Sequence, residues 1–195
     1  PSFDRPAHPE SDISPWFRRF AHLLPPAGDV LDLAAGYGRH TRRALALGCR
    51  AVAVDIDVSG LNDVTGAEVI AADLEQGAWP LAGRTFDAVL ISNYLYRPHF
   101  ARLPDMLRDG GVLMIDTFGA GNAEFGRPRN PDFLLEPGEL LDVFSGRLQV
   151  VAYEYGIEHL PIPAVRQRIC ARLADAPAQL LARPAGANSS AAGLA

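Results

Sequence analysis

The chain has no lysine. All 18 of its basic residues are arginine. That absence excludes a Schiff-base lysine for pyridoxal phosphate and the lysine of a phosphate-binding P-loop. Cysteine is nearly as scarce: Cys49 and Cys170 stand far apart with no CxxC spacing. A disulfide framework and a zinc site are therefore not expected, nor any other metal centre, and a reduced cytoplasmic setting is. No apolar run approaches 18 residues and no leader pattern is visible, so neither a membrane span nor a membrane partner is expected. A basic excess is missing too. The net charge of −5 argues against nucleic acid as a partner. The nearest approach to a basic patch, Arg39, His40, Arg42 and Arg43, reads as a solvated helix face.

What is present suits one globular domain. The 195 residues are 48% hydrophobic and 21% charged, enough to bury a sizeable core without a second unit. The most informative stretch is DVLDLAAGYGRHTRRALALGCRAVAVDID, from Asp29 to Asp57. It reads as a buried strand (30–34), a glycine turn, a helix (39–47) and a second buried strand (50–54) that ends on Asp55. Gly36 and Gly38 allow backbone conformations that a Cβ would block and let a ligand lie against the main chain. Asp55, about 20 residues beyond the turn, is placed to accept hydrogen bonds from ribose hydroxyls. Thr41 takes the third small-residue position of a dinucleotide fingerprint, which departs from GxGxxG or GxGxxA.

The flanks read as follows. Residues 1–13 are polar, proline-punctuated and expected to be flexible. Ser14 as N-cap, Pro15 at the first helical position and the apolar spacing of Trp16, Phe17, Phe20, Leu23 and Leu24 predict an amphipathic helix over 14–24, either packed on the sheet or serving as a lid. A turn-rich 56–66, a strand over 67–71, a loop over 75–85 and a buried strand over 86–91 come next. Ligands of open α/β sheets bind at the carboxyl ends of strands, which puts Ser92, Asn93 and Tyr94 beside the chemistry. A helix over 98–108 stopped by Asp109-Gly110-Gly111 is expected, then a strand over 112–118. The Gly/Pro/Asn-rich 119–131 suits a substrate-facing or surface loop. A short helix over 137–144 and two closing strands, 148–155 and 165–173, complete one domain spanning 14–173. The tail 174–195 lacks periodicity and is expected to be flexible.

The segment DLAAGYGRHT, with Asp32 inside its strand as DxAxGxG, resembles motif I of the class I S-adenosylmethionine-dependent methyltransferases. FDAVLISNYLYRPH similarly resembles motif IV of that family, and the likeness extends to compact methyltransferase domains of the tellurite-resistance type. It implies a Rossmann-like α/β three-layer sandwich, a mostly parallel seven-stranded sheet with an antiparallel last strand. It also implies S-adenosyl-L-methionine as cofactor and methyl transfer to a small-molecule or metalloid acceptor. The cofactor's amino-acid end would lie on the backbone of Ala34, Gly36 and Gly38, near Asp32. Asp55 would take the ribose. Asp73, Leu74 and Ile56 would surround the adenine, and Asn93 and Tyr94 would face the methyl group. His99, with Asp116 and the more remote His159, is a candidate base. Two other classes stay open: a non-catalytic nucleoside-binding module and a nicotinamide oxidoreductase. Against the latter stand Thr41 and the lack of a Tyr-x-x-x-Lys pair. Asn93 is not followed by Pro-Pro-Tyr, so amino-methylation of nucleic acid is not expected.

Overall fold

A computed structural model describes residues 13–174 and 177–178. The expected flexible segments 1–13 and 174–195 fall almost entirely outside the described residues. Seven strands form one sheet: β1 (Asp29–Leu33), β2 (Arg50–Asp55), β3 (Ala67–Ala71), β4 (Phe86–Ser92), β5 (Leu107–Phe118), β6 (Gln149–Glu158) and β7 (Ala164–Arg172). Their order is β3-β2-β1-β4-β5-β7-β6. The first five run parallel, and β7 is antiparallel to both of its neighbours. This is the Rossmann-like α/β sheet the sequence leads one to expect. The strand order reverses at β1, between β2 and β4, which is where open α/β sheets form ligand crevices.

Period-two alternation sends the core strands' side chains to two faces. Leu31, Leu33, Val89, Ile91, Leu113 and Ile115 bury one face, with Leu140 and Phe144 of α3 (Glu139–Phe144) packed on it. Val30, Ala88, Leu90, Val112 and Met114 bury the other. There they meet Trp16, Phe17 and Phe20 of α1 (Pro15–Phe20) and Ala44 of α2 (Arg39–Ala46). The α1 helix is shorter than its sequence pattern. It turns into a 3₁₀ segment at Ala21–Leu23.

Two expectations are corrected here. The 98–108 segment is not an α-helix. It forms 3₁₀ turns at Arg97–His99 and Pro104–Met106, each with a proline in its first turn. Pro104 offers no N–H, and its ring would clash with the carbonyl four residues back, so an α-helix cannot pass through it. Nor is Asp109-Gly110-Gly111 a helix stop. It lies within β5, where the register slips between Phe86 and Ala88. Gly110 (φ +79°) pairs with Leu173, and a Cβ on Gly111 would lie 2.8 Å from the Arg108 carbonyl oxygen. The second correction concerns His40. It is not on a solvated face but 3% exposed, beneath Phe17.

Candidate functional site

The glycine turn between β1 and α2 is built from left-handed residues in close succession: Ala34 (φ +58°), Gly36 (+56°) and Gly38 (+72°). At Gly38 the glycine is required twice over, because a Cβ would also sit 2.5 Å from Leu61 Cδ2. Asp32 anchors the turn from below. Its Oδ2 accepts from the Thr41 hydroxyl (2.6 Å) and the Thr41 N–H (2.9 Å), so it caps the first turn of α2. Burial pushes the Asp32 carboxyl up to about 6, against the pull of those two bonds. Thr41, the residue that breaks the dinucleotide pattern, is the partner that Asp32 requires.

At the carboxyl edge of β1–β4 lies a cavity of about 440 Å³, within the range of small-molecule sites. It is lined by Ala34, Asp55, Ile56, Asp73, Leu74, Asn93 and Tyr94, all singled out from the sequence. Ala72, Glu75 and Gln76 also line it. Asp32, Gly36, Gly38 and His99 do not line it, although Gly36 is one bond removed. Asp55 Oδ2 accepts the Gly36 N–H at 2.7 Å and Oδ1 accepts that of Asp57 at 3.0 Å. Two of the roughly four lone-pair positions of that carboxylate remain for a ligand. Asp73 Oδ1 accepts from the N–H groups of Glu75 and Gln76, which shapes the loop after β3. Ile56 is 69% exposed, an apolar flap over the opening.

Asn93 follows β4 in a left-handed conformation (φ +56°), a strained choice of the kind concentrated at ligand sites. Its Oδ1 accepts from Arg166 Nη1 at 2.7 Å. The buried Tyr94 hydroxyl has no hydrogen-bond partner, and burial, then the Glu75 charge, hold it well above its ordinary value. His99 stands behind Tyr94 in an aromatic cluster, with ring centroids 4.8 Å from Trp79 and from Tyr96. Neither of its ring nitrogens makes a hydrogen bond. Burial first and Arg102 second push it down to about 4. Asn122, in the loop after β5, ties that loop to Val165 and Pro128 and does not line the cavity.

A second polar group escaped sequence reasoning. Ser14, His40, Ser92 and Asp116 come together between α1 and the ends of β4 and β5. Arg166 and Arg168 of β7 both reach Asp116 Oδ1, the latter at 2.9 Å. Burial pushes Asp116 up, but the two guanidinium charges outweigh it and hold the carboxyl below the usual range.

Residues 31–115 match the family model described as "Methyltransferase domain". The match covers the central segment, 85 of the 195 residues. No curated protein matches the sequence. Solved structures share the fold. The TehB structure from Haemophilus influenzae aligns with a TM-score of 0.66 at 17% identity, covering 78% of this chain and 59% of that one. The present chain thus spans under two thirds of that protein. The 1,6-didemethyltoxoflavin-N1-methyltransferase of Burkholderia thailandensis, solved with 1,6-didemethyltoxoflavin and S-adenosylhomocysteine, gives 0.59 at 21% identity over 81% and 76% of the two chains. The glycopeptide N-methyltransferase MtfA, complexed with S-adenosylhomocysteine, gives 0.56 at 20% over 80% and 87%.

Proposed function

We propose that the protein transfers a methyl group from S-adenosyl-L-methionine to a small-molecule acceptor. The observation that carries this is the 440 Å³ cavity, with one carboxylate at the end of β2 and another just past β3 beside the left-handed Ala34 turn. Carboxylates, apolar faces and an open backbone turn fit a nucleoside joined to an amino acid. Asp55 would accept from the ribose hydroxyls. Ile56 and Leu74 would hold the faces of the adenine while Asp73 accepts from its amine. The backbone of Ala34, Gly36 and Gly38 would meet the amino-acid end, with Asp32 fixing that turn through Thr41. Asn93 and Tyr94 would border the methyl end, with His99 packed behind Tyr94.

When bound, the cofactor supplies an electrophilic methyl carbon on a sulfonium. The chain's task is then positioning in line at near-attack distance and exclusion of water. Two buried free thiols fit a reducing setting, and no helix among the described residues is long and apolar enough to cross a membrane.

Calorimetric titration with S-adenosylmethionine, S-adenosylhomocysteine and NAD tests the reading. Micromolar binding of the first two and no NAD signal is the expected result. Asp55→Ala should weaken that binding by about 1–3 kcal/mol. NAD binding alone would overturn the proposal.

A further inference from the structure

Asn93 stands where the 440 Å³ cavity meets the end of β4, exposed and on the cavity wall. Which way its amide faces is decided from behind. Arg166 Nη1 donates to Asn93 Oδ1 at 2.7 Å, and an arginine side chain carries donors only. The amide oxygen must therefore face Arg166, and Nδ2 with its protons points away from it. No other residue among the described ones takes up those protons.

The guanidinium is held in place as well. Its Nε and Nη2 donate to Asp116 Oδ1, and Nη2 also donates to the Asp116 carbonyl at 3.0 Å. Its central carbon lies 4.4 Å from the centre of the Phe118 ring. The Asp116 carbonyl also accepts the Asn93 N–H at 2.9 Å, so one residue pins both partners. The charged side chains on the cavity wall, Asp55, Asp73 and Glu75, are all carboxylates and accept. At the β4 end the wall presents the opposite polarity.

We infer that Arg166 fixes the hydrogen-bond polarity of the methyl end, so that Asn93 donates through Nδ2 and selects a methyl acceptor carrying a carbonyl oxygen or an unprotonated ring nitrogen there. This rests on the methyltransferase reading above. A molecule that must donate an N–H at that point meets protons instead of a lone pair. Turning the amide to suit it would break the charge-assisted bond to Arg166, a loss of about ten- to hundredfold in affinity. Arg166 is a positioning residue, acting through Asn93.

Calorimetry with two cations tests this. S-adenosylmethionine carries a methylated sulfur with no proton to donate. In sinefungin a carbon bearing an ammonium group replaces that sulfur, which puts N–H donors where the methyl group would be. Both carry a positive charge at this point, so their affinity ratio reports donation rather than charge. In the unaltered protein sinefungin should bind no more tightly than S-adenosylmethionine. Asn93→Asp keeps an oxygen for Arg166 and sets a second oxygen in place of Nδ2, so the ratio should move at least about tenfold toward sinefungin. Aspartate also tolerates the left-handed backbone of this position. Arg166→Met frees the amide to turn and should move the ratio the same way, by about fivefold. A purely structural role for either residue would change both affinities together and leave the ratio alone. A ratio that favours sinefungin from the outset, or that Asn93→Asp leaves unmoved, would overturn the donor assignment. A ratio that responds to Asn93→Asp and not to Arg166→Met would remove Arg166 as its cause. If neither S-adenosylmethionine nor S-adenosylhomocysteine binds the unaltered protein, the methyltransferase reading falls, and this inference with it.

Discussion

His99 shows how much one side chain's surroundings alter its prospects. As a sequence candidate it was a base. In the fold it is 3% exposed, ringed by Trp79, Tyr94 and Tyr96, and without a hydrogen bond at either nitrogen. A buried polar ring with no partner costs stability that an apolar ring of similar shape does not. His99→Phe is therefore expected to raise stability by about 1–2 kcal/mol at pH 7, as read by urea denaturation. If the His99 ring carries protons during turnover, the same variant loses activity despite its greater stability. Unchanged turnover would confine His99 to supporting Tyr94. The residues that line the 440 Å³ cavity were easier to find. Asp55, Asp73, Asn93 and Tyr94 each lie at or just past a strand's carboxyl end, and an end of a strand is a local feature of sequence.

Among the elements, α1 carries the most consequence for its six residues. Ser14 caps it, accepting from the Trp16 and Phe17 N–H groups, and its three aromatic residues are at most 3% exposed. Trp16 Nε1 donates to the Ile169 carbonyl at 3.0 Å, so the helix is tied to β7 as well as to the end of β5. So short a helix has almost no stability of its own and depends on this packing. Phe20→Ala should destabilise the fold by about 3–5 kcal/mol. Phe20 does not line the 440 Å³ cavity, so S-adenosylhomocysteine affinity in the folded fraction should stay unchanged by calorimetry. The apolar period over 14–24 made this helix legible. The period over 98–108 misled, because His99, Phe100, Leu103 and Leu107 keep helical spacing while Pro104 forbids the helix. There the backbone rule outweighs the pattern.

For the whole molecule, buried titratable groups set the response to acid. His40 and His99 have folded values of about 3 and about 4, below the ordinary histidine value. The unfolded chain therefore takes up protons first, and the stability these residues contribute is present above pH 6.5 and lost as pH falls below it. Asp32 acts in the opposite sense. Its folded value of about 6 lies above the unfolded one, so the native state gains stability as pH falls through 6. At pH 5 the histidines together outweigh Asp32, and a net loss of about 2–3 kcal/mol relative to pH 7 is expected from denaturation at the two pH values. His99→Phe should remove about 2 kcal/mol of the histidine loss. A flat profile between pH 7 and 5 would show these imidazoles to be solvated.

The sequence by itself determined the sheet, the glycine turn and the row of residues along its carboxyl edge. These follow from short-range rules: alternation, left-handed glycine and strand-terminal acids within one βαβ unit and its continuation. Tertiary structure alone decided the polar group beneath α1. Ser14 and Asp116 are 102 positions apart, and Arg166 reaches Asn93 across 73. No periodicity links such residues. They become neighbours because β7 inserts antiparallel beside β5 and α1 closes over the ends of β4 and β5. Burial then turns an ordinary surface-type histidine, serine and aspartate into a matched set, since buried polar groups must find partners in one another.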